Sequence, residues 1–253
     1  MTSLVLVHGA WAAGWCWRRV VPHLREAGHE VFAPSLTGLG ERKHLATPQV
    51  GLDTHVQDIV GVLETEELDG VILVGHSYGG MVITGVAERV PERLAQLVYL
   101  DAFVAENGQS LCDLLPPAIT QEWADRVQTE GDGWQLPSVR PGPWETVLRE
   151  YWRVTDPADA AWLAAHLDPQ PFKTMTGRLA CTNSAARALP RTYIRCPMSG
   201  NPAFVQAAER AQRPGTGWQY FELPTAHLAM VTMPDKLAAL LLKLAVAPAP
   251  PVG

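Results

Sequence analysis

At 253 residues, with 47% hydrophobic and 18% charged residues, the chain has the apolar content to bury a full core and lies far from the composition of disordered proteins. Its 20 basic and 26 acidic residues give a net charge of -6, and no run of Lys or Arg occurs, so a nucleic-acid partner is not expected. The longest apolar runs, such as Leu237 to Val246, stop well short of the ~20 residues that cross a bilayer, and no membrane span is expected.

The chain enters an apolar strand at once, Leu4 to Val7, with no basic leader before it, which predicts a cytoplasmic protein. Val20, Val21, Leu24 and Ala27 then recur at helical spacing, and Gly28 offers a left-handed stop. Glu30 to Ala33 reads as a second strand. Thr54-His55-Val56-Gln57 has the form of a capping box ahead of a helix that carries Val56, Ile59, Val60 and Leu63 on one face. Strands return at Val71 to Val74 and Leu97 to Leu100. The first hundred residues therefore alternate as βαβ units, which predicts an α/β fold with a mostly parallel sheet flanked by helices.

From 104 to 189 the pattern changes to Trp- and Pro-rich helical fragments with no clear strand, and this stretch reads as an inserted helical cap. Strands resume at Thr192 to Arg195 and Trp218 to Phe221. Asn201-Pro202 has an N-cap residue followed by proline at the first helical position, and opens a helix through Gln212. Leu237, Leu240, Leu241 and Leu244 mark a final helix, whose start Asp235 favours. The proline-rich residues 247–253 predict a flexible tail. A single α/β domain over 1–253 with one inserted cap accounts for the whole pattern. Cys16, Cys112, Cys181 and Cys196 form no C-x-x-C pair, and no two histidines have the spacing of a helical metal pair, so no metal site is expected.

The chemistry concentrates in Gly75-His76-Ser77-Tyr78-Gly79, a G-x-S-x-G that follows a buried strand and opens a helix. In that sharp turn, side chains at positions 75 and 79 would collide with neighbouring backbone, so glycine is required there, and Ser77 is raised out of the turn as a nucleophile. A serine hydroxyl needs a base. His227, between the strand at Trp218 to Phe221 and the final helix, stands where that base is expected. His23, His29, His44 and His55 read as solvated or structural. Acyl transfer also needs donors for the developing oxyanion, and these are expected from the backbone amides of Tyr78 and of Ala10 in the loop after the first strand.

His8-Gly9-Ala10-Trp11, Gly14-Trp15-Cys16-Trp17, Gly38-Leu39-Gly40-Glu41-Arg42 and the Gly75 to Gly80 turn together resemble the α/β-hydrolases grouped with plant methylesterases, hydroxynitrile lyases and bacterial pyrethroid-type carboxylesterases. The likeness runs over nearly the whole chain, and in the cap it extends only to length and helical character. It implies an α/β-hydrolase fold carrying a serine, histidine and acid triad, with no metal or organic cofactor. In such relatives the acid follows the strand that corresponds to Arg191 to Cys196, and here Ser199 holds that place. Asp101, at the end of the strand after the nucleophile helix, is the leading candidate for the acid. Ser199 or a water molecule holding the imidazole remain alternatives. Glu222 lies too close to His227 along the chain to turn back onto the ring.

The expectation from these features is a serine hydrolase that cleaves a small apolar or aromatic carboxylic ester through an acyl-enzyme. Two other readings compete with it. One is a lyase or cyclase using the same Ser-His pocket for proton transfer, and the other is a ligand-binding module on a weakened hydrolase scaffold. Five of the nine tryptophans lie in the cap, while Trp11, Trp15 and Trp17 cluster beside the oxyanion loop. Most of these rings are expected to pack, with Trp11, next to Ala10, the strongest candidate for contact with a small-molecule substrate.

Overall fold

The structure, a computed structural model, describes residues 1–246, and the tail expected at 247–253 lies outside the described residues. Strands β1 (Ser3–Val7), β2 (Glu30–Phe32), β3 (Val71–His76), β4 (Leu94–Leu100), β7 (Arg191–Arg195) and β8 (Trp218–Glu222) form one sheet. Its order is β2-β1-β3-β4-β7-β8, and every neighbouring pair is parallel. All six residues of β3 are buried, the signature of a central strand covered on both faces. The covering helices are α1 (Val21–Glu26), α2 (Leu52–Thr65), α3 (Gly79–Arg89), α9 (Pro202–Gln212) and α11 (Pro234–Val246), with α2 packed on α3 and α1 on α11. Because the strands run the same way, the loops that leave them gather at one edge, where open α/β sheets place their sites.

Helix α2 departs from the expected capping. It starts at Leu52, with Gly51 rather than Thr54 at the cap, and Thr54 Oγ1 accepts from the Gly51 amide at 3.2 Å from inside the first turn. Leu52 explains the difference: it is buried and four residues before Val56, so the apolar face begins one turn earlier than the polar signal suggested. Helix α9 agrees with expectation, its Asn201 Oδ1 accepting from the Ala203 amide at 3.0 Å.

Between β4 and β7 lie α4 (Pro117–Glu130), α5 (Trp144–Glu150), α6 (Pro157–Ala164), α7 (Lys173–Thr176) and α8 (Ser184–Ala188). The same stretch also contains two short strands that the sequence reading did not contain, β5 (Gln135–Leu136) and β6 (Gln170–Pro171), paired antiparallel. Two residues per strand leave no alternation for a sequence to display. This ladder ties the layer to the loop after β1: Trp11 donates its amide to Gln170 Oε1 at 2.9 Å and its indole N–H to the Leu136 carbonyl at 3.0 Å. The last short helix, α10 (Ala229–Thr232), follows β8.

Candidate active site

The turns after β1, β3 and β4 each carry a non-glycine residue in the left-handed region: Trp11 at φ 61°, Ser77 at φ 53° and Asp101 at φ 42°. Each such residue costs on the order of 1–2 kcal/mol, so the surroundings must hold it there. They do so by extending the strand ladder past the strand ends. Ser77 donates its amide to the Leu100 carbonyl at 3.2 Å, Phe103 donates to the Ser77 carbonyl at 3.1 Å, and Asp101 donates to the Ile194 carbonyl at 2.7 Å. The glycines flanking Ser77 allow the tight turn by lacking a side chain. A Cβ on Gly75 would stand 2.5 Å from the Gly79 carbonyl oxygen, and one on Gly79 would stand 2.7 Å from that of Val7.

His227 reaches this edge from the loop between β8 and α10. Its Nδ1 lies 2.7 Å from Asp101 Oδ2. An ionised carboxylate only accepts, so Nδ1 is the donor and Nε2 of a neutral ring is left as the proton acceptor. Asp101 is fully buried. Its other oxygen, Oδ1, accepts from Arg195 Nη1 and, at 3.2 Å, from the Cys196 amide. The imidazole is further held by the Phe204 ring, stacked at 5.0 Å and 13°. The backbone of His227 is held too, since its carbonyl accepts from His76 Nε2 at 2.9 Å. Burial and the neighbouring His227 push the His76 pKa well below its ordinary value, so His76 adds no charge next to His227. Ser77 and His227 line one cavity of about 340 Å³. The hydrogen bond from Ser77 Oγ to His227 Nε2 is not formed here, and such contacts commonly tighten only when substrate is bound.

The two residues whose amides are expected at the oxyanion, Ala10 and Tyr78, both line this cavity. Neither amide donates to a protein acceptor among the described residues, whereas the neighbouring amides of Trp11, Ser77 and Gly80 all do. Two neutral histidines support this corner. Leu36 donates its amide to His8 Nε2 at 3.0 Å, so His8 Nδ1 carries the proton and donates to the Gly9 carbonyl at 2.8 Å. His55 Nε2 donates to the Thr37 carbonyl at 2.8 Å, which leaves its Nδ1 to accept from the Tyr78 hydroxyl at 2.9 Å. Burial lowers the pKa of each ring to about 4.

The far wall is aromatic. The Trp11 ring lies 5.9 Å from Trp123, 6.1 Å from Trp144 and 6.1 Å from Trp152, and Trp11, Trp123 and Trp152 line the cavity. Trp15 and Trp17 do not line it: Trp15 leans on Trp162 at 5.1 Å and Trp17 is fully buried. Ser199 lines the cavity; its amide donates to the Cys196 carbonyl at 3.0 Å and its carbonyl accepts from Arg195 Nη2. Glu222 accepts from the Tyr220 hydroxyl at 2.5 Å, and Asp235 faces His23 at 3.2 Å. Sequence reasoning did not find Arg195, His76 or Phe204. Arg195 had one legible signal, a charged residue at the end of an otherwise buried strand. His76 and Phe204 had none.

Comparison with known proteins agrees with the fold. The model of the alpha/beta hydrolase family matches residues 4–240. The carbendazim hydrolyzing esterase of Nocardioides sp. (strain SG-4G) is 41% identical over 241 residues, which is 94% of this chain and 97% of that protein. The pyrethroid hydrolase of Sphingobium wenxiniae is 30% identical over 98% of this chain and 89% of its own length. Among solved structures, an extracellular alpha/beta-hydrolase from a Paenibacillus species superposes with a TM-score of 0.83 at 23% identity, covering 98% of this chain and all (100%) of that one, a likeness of fold.

Proposed function

The chain belongs to the alpha/beta hydrolase family, and from that premise we propose that it is a serine esterase acting on small apolar or aromatic carboxylic esters. The observation that carries the reading is the contact of His227 Nδ1 with the wholly buried Asp101 carboxylate, which leaves Nε2 as the basic nitrogen in a cavity shared with Ser77. Ser77 Oγ attacks the ester carbonyl as His227 Nε2 takes its proton. The amides of Ala10 and Tyr78 receive the oxyanion. His227 returns the proton to the departing alcohol, then accepts one from the water that frees the acyl group from Ser77. Asp101 keeps the ring in the productive tautomer and balances the imidazolium while it exists.

The aromatic wall and the 340 Å³ volume support a substrate with a flat or apolar body. The names of the esterase relatives point the same way, and carbendazim belongs in the first substrate panel. The four cysteines, none in a disulfide, support a reducing, cytoplasmic setting. The test is turnover of a chromogenic aromatic ester in oxygen-18 water, together with labelling by a serine-directed phosphonate. A burst of alcohol, label in the acid product and phosphonate on Ser77 are expected. Turnover without oxygen-18 incorporation would replace hydrolysis with lyase chemistry, and ligand binding with neither turnover nor labelling would leave only a binding module.

A further inference from the structure

Given the roles of Ser77, His227 and Asp101 in the reading above, we infer that Arg195 is a positioning residue that sets the protonation of the His227–Asp101 pair. Its guanidinium neutralises the carboxylate, and the imidazole therefore stays uncharged and ready to accept the serine proton. The placement follows from strand register. Leu100 of β4 is paired with Ile194 of β7, so the residues that follow them in the chain, Asp101 just past β4 and Arg195 at the end of β7, emerge side by side at the sheet edge. The Arg195 side chain is almost as buried as that of Asp101, at 7% against 0% exposure. Its Nη1 donates to Asp101 Oδ1 and, at 2.6 Å, to the Cys196 carbonyl, while Nη2 donates to the Ser199 carbonyl. The planar fork thus fixes the carboxylate and the turn after β7 at once, a geometry that a lysine ammonium would not reproduce in full.

The charge consequence is direct. With a neutral imidazole the buried group Arg195, Asp101 and His227 has no net charge, and a proton on the ring makes it +1 in a site that water cannot screen. Without the guanidinium, the carboxylate has only the ring to offset it, and the pair retains a proton to higher pH whichever of the two carries it. The other ionisable groups around the pair do not take this part. His76, on β3, stays neutral because burial holds its pKa low. Burial raises those of Tyr193, Cys196 and Tyr220. Glu222, on β8, is engaged by the Tyr220 hydroxyl. Arg140, Glu150, Tyr151 and Arg153 belong to the far wall of the cavity. Among the side chains of the described residues, only Arg195 and His227 bond Asp101.

The experiment is the pH profile of kcat/KM for a neutral aromatic ester in the parent, Arg195→Gln and Arg195→Lys. In Arg195→Gln the acidic limb should move up by about one pH unit, with the plateau reduced less than about tenfold, and Arg195→Lys should bring the limb back toward the parent. A clamp that only shapes the loop would lower the rate at every pH and leave the limb in place, which overturns the inference. If Arg195→Gln does not fold, the double variant Asp101→Asn/Arg195→Gln, which buries neither charge, decides the matter against Asp101→Asn. Equal rates support action through Asp101, and a further drop of about tenfold overturns it. Phosphonate labelling of Ser77 in the parent is measured alongside: its absence defeats the esterase reading itself, whereas labelling with an unmoved limb defeats only the role of Arg195.

Discussion

The sheet edge and the layer of residues 104–189 build opposite walls of one cavity by different physical means. At the edge, backbone fixes position: left-handed turns at Trp11, Ser77 and Asp101, strand ladders continued beyond their ends, and glycines that admit carbonyls within 3 Å of where a Cβ would be. Across the cavity, side chains fix position, through indole rings at 5.9–6.1 Å and a ladder of two residues per strand. The first kind of wall tolerates almost no substitution and suits chemistry, which fails if atoms move by an ångström. The second kind can exchange one apolar shape for another at modest cost and suits selection of substrate.

That contrast makes sequence changes fall into two groups. At the edge, Ser77→Ala should reduce kcat by about 10⁶-fold with an unchanged melting temperature, as read by ester turnover and calorimetry. Asp101→Asn should reduce kcat by about 10⁴-fold, and by leaving Arg195 buried without its anion it should also lower the urea midpoint. Acid should weaken the same region through His8 and His55. Their folded-state pKa values lie near 4, below the ordinary 6.5, so the unfolded chain takes up protons first. Stability is then full above pH 6.5 and is lost as pH falls toward 4, by on the order of 3 kcal/mol for each ring, measurable as urea midpoints across that window. Gly75→Ala should cost about 3 kcal/mol, seen as a melting temperature lowered by roughly 10 °C. In the facing layer, Ile119→Ala removes apolar surface from the wall and widens the cavity. It should raise KM for a small ester about tenfold and alter kcat less than about threefold. An Ile119 variant that lost kcat as Asp101→Asn does would break the contrast.

What could be read from the sequence follows the same division. The parallel sheet, the turn at Ser77, the place of His227 after β8 and the helix opened by Asn201-Pro202 were legible because each is written in neighbouring residues: an apolar run, a spacing, a cap. For Asp101, the contact with His227 was legible only as one option among several. Its partnership depends on β4 and β7 lying side by side, and a pairing across 94 residues of chain, as between Asp101 and Arg195, leaves no local mark. The start of α2 was misplaced because Thr54 looks like a cap while Leu52, by its burial, decides the first turn. In the layer between β4 and β7, the helical character was visible, but which indoles would face the cavity was not. Trp15 and Trp11 have similar surroundings in sequence, yet Trp15 turns to Trp162 and Trp11 to the cavity.

That His227 meets Asp101, just past the end of β4, has an outcome for how the protein can change. The stretch 196–201 after β7, where the family resemblance placed the carboxylate, here contributes main-chain carbonyls to Arg195 and the Cys196 amide to Asp101, and offers Met198, Ser199, Gly200 and Asn201 to the cavity. Unlike Asn201, whose side chain caps α9, Met198 and Ser199 are released from a duty that would hold their identity constant. Randomised libraries at Met198 and Ser199 should therefore yield many active members with altered ester preference, so this is the segment where new substrates can be acquired without disturbing the reaction itself.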